Sequence, residues 1–187
     1  MKTLIACLLG MFAITAVHAE AELWAALRDG HHVAVMRHEL APGVGDPEGF
    51  RIDDCSTQRN LSALGREQAS ATGERFRAHG IERATVYSSR WCRCLDTATL
   101  LGLGPVNPFA GLDSLFRDRD QEASRNAEVR NLIHKHAQTG RPLVLVTHQA
   151  NITALTGVFP ASGEIVVLRV SDDGLSVAGR IPPATNR

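Results

Sequence analysis

The sequence predicts an α/β protein, a three-layer α/β/α sandwich on a mostly parallel central sheet. Three observations predict it. Short apolar runs at His32–Arg37, Ala84–Ser88 and Pro142–Thr147 have the length of buried strands. Helix-like segments with start and stop signals separate these runs, an alternation that builds parallel sheets. Finally, Glu164–Val170 and Leu175–Ile181 flank Asp172-Asp173-Gly174, the pattern of a late antiparallel hairpin. A length of 187 residues suits one domain. Contents of 44% hydrophobic and 21% charged residues are ordinary for a globular chain and exclude a disordered or fibrous one.

The first segment stands apart from the fold. Lys2 provides a positive start, Leu4–Val17 is an almost unbroken apolar run, and Val17-His18-Ala19 offers a small-residue cleavage site. That is the layout of a secretory signal peptide, and the run is short for a membrane anchor. The expected division is therefore a signal peptide over residues 1–19 and a single domain over residues 20–187, with a periplasmic location. Removing residues 1–19 takes away Lys2 and no acidic residue. From 20 basic and 20 acidic residues the charge becomes 19 − 20 = −1. A chain so close to neutral has no overall field for nucleic acid or an anionic membrane, so any anion site is local.

Along the domain, Glu20–Arg28 reads as a short amphipathic helix stopped by Gly30. The strand His32–Arg37 follows. Residues 39–60 form a long polar loop with Pro42, Gly43, Gly45, Pro47 and Gly49, and loops of this length are usually functional. Ser62 is an N-cap for a helix over Ala63–His79, closed by Gly80. After the strand Ala84–Ser88, Trp91–Leu101 is helical and stops before Gly102 and Gly104. Residues 105–118 read as a connection, Asn126–His136 as a helix without a strong cap, and Asn151–Thr156 as the opening of the last helix. The tail Pro182–Arg187 reads as loose.

Export changes the meaning of the cysteines. Cys55, Cys92 and Cys94 remain after cleavage, an odd number that permits one internal disulfide. The expected bridge joins Cys55 to Cys92 or to Cys94. Buried thiols are the plainer alternative. Cys-x-Cys with one distant cysteine is not a zinc spacing, and His134 and His136 are not neighbours on a helix face.

Three strand ends carry candidate chemistry. The first strand ends in Arg37-His38, the second in Ser88-Ser89 with Arg93 in the helix behind it, and the third in Thr147-His148. Sites in α/β sheets form beyond the carboxyl ends of the strands, so these four side chains are placed to converge. Two guanidiniums can bind a phosphate dianion, and a neutral imidazole can attack phosphorus. The arginines and a second histidine can stabilise charge in the transition state. Helices that start just past Ser89 and Ala150 can add backbone donors. No cofactor and no metal is required, because side chains supply the positive charge. Taken singly, His31, His32, His79, His134 and His136 are incidental, and Arg59 and Asn60 read as ordinary loop residues.

Four segments resemble a known superfamily. Met36-Arg37-His38-Glu39 resembles the Arg-His-Gly signature of the histidine phosphatases, the phosphoglycerate mutase-like superfamily. Leu61-Ser62-Ala63-Leu64-Gly65 with Gln68-Ala69 is similar to that superfamily's capped helix start. Ser88 through Ala98 resembles its Ser-x-x-x-Arg-x-x-x-Thr-Ala segment, and Val146–Asn151 its distal-histidine strand end. The order agrees over residues 32–156. Among relatives, the chain resembles most the small exported branch similar to the lipopolysaccharide core heptose phosphatase. The resemblance implies a phosphoglycerate mutase-like fold and a phosphomonoesterase in which His38 is the nucleophile. Arg37, Arg93 and His148 would then be the catalytic and substrate-binding groups around phosphate. The implied partner is a small phosphorylated substrate, sugar- or envelope-linked.

Two departures stand out. Glu39 occupies a position that is commonly Gly or Ala in the superfamily. Ser114 stands where many members carry a proton-donating Glu, and Gln149 where another branch carries Asp. Asp113 and Glu39 are the substitute acids to test, with Asp113 as the first candidate proton donor. Without an acid, alkyl phosphates suffer most, since their leaving group needs a proton. The rival reading is a phosphate-ester-binding protein of weak activity that lacks a general acid. A histidine metal hydrolase and a mutase rank below it.

Overall fold

The computed structural model describes residues 18–184. Met1–Val17, which carry most of the expected signal peptide, lie outside the described residues, as do residues 185–187. Helix α1 covers residues 18–26. It is followed by β1 (His32–Arg37), α2 (Ala63–Ala78), β2 (Thr85–Ser88), α3 (Cys92–Leu101) and β3 (Val106–Pro108). The second half comprises α4 (Glu122–Ala137), β4 (Leu143–Thr147), α5 (Gln149–Thr156), β5 (Ile165–Ser171) and β6 (Gly174–Ile181).

The six strands form one sheet in the order β3-β2-β4-β1-β5-β6. Pairings among β3, β2, β4 and β1 are parallel, whereas β5 pairs antiparallel with β1 and with β6. Side chains alternate faces along each strand. On one face Ala34 and Met36 of β1 and Val144 and Val146 of β4 pack beneath Trp24, Phe76, Ala98 and Leu101 of α1, α2 and α3. On the other, Val33, Val35, Leu143 and Leu145 meet Val129 and Ile133 of α4 and Ile152 of α5. These faces are the three layers of the expected sandwich.

Three sequence expectations need correction. Residues 105–118 contain strand β3, which is only three residues long and sits at the sheet edge where Pro108 is tolerated. Helix α4 starts at Glu122 rather than Asn126, with no side-chain cap to mark it. The tail is anchored at its start: Arg75 Nη1 donates to the Pro182 carbonyl at 2.7 Å, and Ala184 is buried.

Helix α2 explains one motif physically. Ser62 Oγ accepts from Gly65 N–H at 3.0 Å, and Ser62 N–H donates to the Leu40 carbonyl at 3.0 Å. A Cβ at Gly65 would lie 2.2 Å from that same carbonyl oxygen. The capped start of α2 is therefore docked directly on the segment that follows His38, and only glycine permits the approach.

Candidate active site

Parallel pairing brings the two histidines together. Arg37 faces Thr147 in the β1–β4 register, and His38 N–H extends the ladder to the Thr147 carbonyl at 2.9 Å. One residue further, the rings of His38 and His148 lie with centroids 5.5 Å apart. Arg93, on the first turn of α3, reaches between them. Its Nε donates to His38 Nε2 at 3.2 Å and its Nη2 to His148 Nδ1 at 3.4 Å. His38, Arg93 and His148 are exposed by only 2%, 2% and 4%. With Arg37 they line a cavity of about 340 Å³.

The tautomer of His38 follows from its neighbours. Its Nδ1 donates to the Glu39 carbonyl at 2.7 Å, which leaves the Nε2 lone pair facing the cavity. Burial, then the charge of Arg93, lowers its pKa to about 3, so the ring is neutral at physiological pH. Burial and Arg93 likewise push His148 well below the usual histidine range. Its Nε2 lies 2.8 Å from Ser89 Oγ.

Five residues of the long loop 39–60 also line the cavity, and two of them, Asp46 and Arg59, are charged. Arg59 corrects its reading as an ordinary loop residue. Its Nε donates to the Gly45 carbonyl at 2.8 Å and its Nη1 to the Ala41 carbonyl, which aims the guanidinium inward. Asn60 turns the other way, its side chain donating to the Cys55 carbonyl at 2.6 Å. The signal for Arg59 was its place just before the Leu61-Ser62 helix start, because that start docks on the chain beside His38. The loop is fastened to α3 by a Cys55–Cys92 disulfide, leaving Cys94 as a buried thiol.

The structure does not bring the two candidate acids into the cavity. Asp113 is buried behind it. Its Oδ1 accepts from Arg90 N–H at 2.9 Å and its Oδ2 from Arg90 Nε at 2.8 Å, so the carboxylate braces the β2–α3 turn. The next residue, Ser114, faces the cavity instead. Glu39 is wholly buried away from the cavity, with Oε1 accepting from Thr72 Oγ1 at 2.9 Å and Oε2 unpartnered among the described residues. The expected donors at the start of α3 are also engaged: Trp91 N–H meets Ser89 Oγ and Cys92 N–H meets Gln58 Oε1. Helix α5 does reach the cavity, through Gln149 and Ala150.

Burial raises the pKa of Glu39 to about 7. The fold thus favours its protonated form. That contribution to stability is complete below the carboxyl's ordinary range near 4.5 and is lost as pH rises through about 7. Glu39→Gln, which cannot ionise, is expected to gain thermal stability relative to the parent chain between pH 5 and pH 8. Melting curves at both pH values check this, and a difference that stays flat with pH would contradict it.

Residues 54–120 match the family described as the histidine phosphatase superfamily (branch 1). Among solved structures, the chain is similar to the protein histidine phosphatase SixA complexed with tungstate. Identity is 15% and the TM-score 0.57, over 81% of this chain and 97% of that one. It is similar to a mycobacterial glucosyl-3-phosphoglycerate phosphatase with inorganic phosphate at 17% identity and TM-score 0.58, over 83% and 98%. A phosphoserine phosphatase mutant from Entamoeba histolytica in complex with phosphoserine matches at 13% identity and TM-score 0.56, over 80% and 95%. No curated protein matches the chain. The fold is shared with these solved phosphatases, and residues 54–120 carry the match to the superfamily. The matched segment runs from the loop end at Asp54 past Arg93, while β1 with His38 and β4 with His148 lie outside it.

Proposed function

We propose that this chain is an exported phosphomonoesterase that works through a phosphohistidine on His38. The observation that carries the reading is the unprotonated Nε2 of His38, held only by a long bond from Arg93 and turned into a cavity ringed by Arg37, Arg59 and Arg93. In the first step the Nε2 lone pair attacks phosphorus and the ester P–O bond breaks. Arg37, whose buried Nε has no protein partner among the described residues, and Arg59 hold the equatorial oxygens with Arg93 and His148. A water then attacks phosphorus, the P–N bond breaks, and phosphate leaves with His38 neutral again.

The leaving oxygen finds no spare acid. Asp46 is the one carboxylate lining the cavity among the described residues, and it is tied to Arg93. Esters whose alcohol departs without a proton are therefore the better substrates. The exposed side chains of Val44, Phe116 and Phe159 at the cavity mouth give the leaving group an apolar rim. The similar solved proteins are phosphatases for phosphoserine and for glucosyl-3-phosphoglycerate, which supports a small phosphorylated substrate. The sequence likeness to the heptose phosphatase branch extends this to a sugar or envelope-linked phosphate.

Export is supported by the Lys2-to-Ala19 pattern and by the Cys55–Cys92 bridge, since disulfides persist in oxidising compartments. The domain would then begin at Glu20, whose carboxylate accepts from Trp24 Nε1 and from Arg75.

The test is rapid quenching with a phosphorus-labelled aryl phosphate. Label is expected on His38, in acid-labile and base-stable form, and hydrolysis of the aryl ester is expected to exceed that of an alkyl ester. Turnover with no labelled protein at any time would remove the covalent mechanism. Phosphate binding without turnover of either ester would favour the rival reading of a binding protein.

A further inference from the structure

We infer that Asp46 is a positioning residue for Arg93, holding one edge of the guanidinium so that only the other edge is offered to phosphate. The inference rests on the phosphatase reading above and deepens it.

A guanidinium has five N–H donors. In Arg93 all of them are engaged. Nε meets His38 Nε2 at 3.2 Å, and Nη1 meets Asp46 Oδ1 at 2.7 Å and the Arg59 carbonyl at 3.2 Å. Nη2 meets Asp46 Oδ2 at 3.1 Å and His148 Nδ1 at 3.4 Å. The five contacts are unequal. Those to Asp46 are charge-assisted and bidentate on the Nη1–Nη2 edge, the geometry that fixes a guanidinium plane. Those to the imidazoles are long and lie on the Nε–Nη2 edge that faces the cavity. Phosphate entering between Arg93 and the histidines can replace the long pair while the Asp46 pair stays. Arg93 then presents two parallel donors to two phosphoryl oxygens beside His38 Nε2.

Asp46 is itself held firmly enough to act this way. Oδ1 accepts a second bond from Arg59 N–H at 3.0 Å, and Oδ2 one from Trp91 Nε1 at 3.0 Å. With these and the two from Arg93, the carboxylate has four donors around it and no place for a proton. It is a fixed anion and not the missing acid. The cost of this arrangement is a negative charge near a bound dianion, and that cost makes the role measurable.

Asp46→Asn keeps the shape and removes the charge. The expected result is a split: kcat for an aryl phosphate falls about tenfold or more, while the Kd for inorganic phosphate tightens about threefold or more. A merely structural aspartate would, when lost, loosen the loop and weaken both. Asp46→Glu keeps the charge and displaces it; kcat is expected to fall with no tightening of phosphate. An Asp46→Asn protein with unchanged kcat, or with equal or weaker phosphate binding, overturns the inference, as does an Asp46→Glu protein with parental kcat. Phosphate binding by calorimetry needs no turnover. A parent chain without activity would sink the proposed function and still leave the Asp46 effect on phosphate readable.

Discussion

Replacing His38 by alanine is expected to lower turnover of an aryl phosphate by about 1,000-fold or more while leaving a folded protein. The magnitude follows from the loss of the covalent step. Without the imidazole, water must attack phosphorus directly, assisted only by the charged groups that remain. His148 cannot take over, because its Nε2 is committed to Ser89 and its Nδ1 lies against Arg93. The remaining nucleophile-bearing neighbour, the Cys94 thiol, is buried and pushed up to about 12 by desolvation, so it carries no thiolate at neutral pH. The fold should survive, since the substitution frees the Glu39 carbonyl and Arg93 Nε beside a cavity that admits water. Phosphate affinity should change far less than kcat, as Arg37 and Arg59 are untouched. Because burial and Arg93 hold His38 near pKa 3, the parent nucleophile stays competent from neutral pH well into the acid range. Steady-state rates, phosphate binding and a melting curve on the variant check these points together. A His38→Ala protein within tenfold of the parent rate would end the mechanism.

How much of this site could be read from residues alone depends on what places each one. Arg37, His38 and His148 are fixed by backbone pairing between β1 and β4, and both strands announce themselves as apolar runs. Arg93 follows from the helix that begins just beyond β2. The sandwich itself is legible for the same reason, because alternation of strand and helix is a local pattern with a global consequence. Residues placed by tertiary pins are another matter. Arg59 and Asp46 sit in a loop without periodicity, and their positions depend on the disulfide, on Gln58 holding Cys92 N–H, and on carbonyls at Ala41 and Gly45. Nothing in a one-dimensional pattern distinguishes Asp46 from a solvated loop residue, and Arg59 is marked only by its place before the Leu61-Ser62 helix start. Asp113 shows the opposite failure. It stands one residue from the position expected for an acid, yet extended backbone alternates its side chains. Ser114 takes the cavity side, and Asp113 turns to Arg90. Glu39 likewise turns from the cavity to a pocket made by Thr72 and Gly163.

Removal of the Cys55–Cys92 bridge is expected to cost about 3–4 kcal/mol of stability, from the loop entropy of a cross-link spanning 37 residues. The effect should not stop at stability. The bridge ties the loop that carries Asp46 and Arg59 to the first residue of α3, and Arg93 is the next residue along. Two side-chain pins cross the same gap, Gln58 Oε1 on Cys92 N–H and Asp46 on Arg93, so the native loop position remains accessible without the bond. It is simply held less tightly against an ensemble of open loops. Binding should therefore suffer more than chemistry: once phosphate has drawn Arg59 and Arg93 together, the histidine sees the same geometry. A Cys55→Ser, Cys92→Ser double variant is expected to show a lower denaturation midpoint and a KM raised several-fold, with kcat within about threefold of the parent. The parent chain treated with reductant should move in the same direction, whereas the double variant should not respond to reductant at all. Equal midpoints for the oxidised and reduced parent would mean that the unfolded chain gains no freedom from opening this loop, and the bridge would then have no part in holding the phosphate pocket closed.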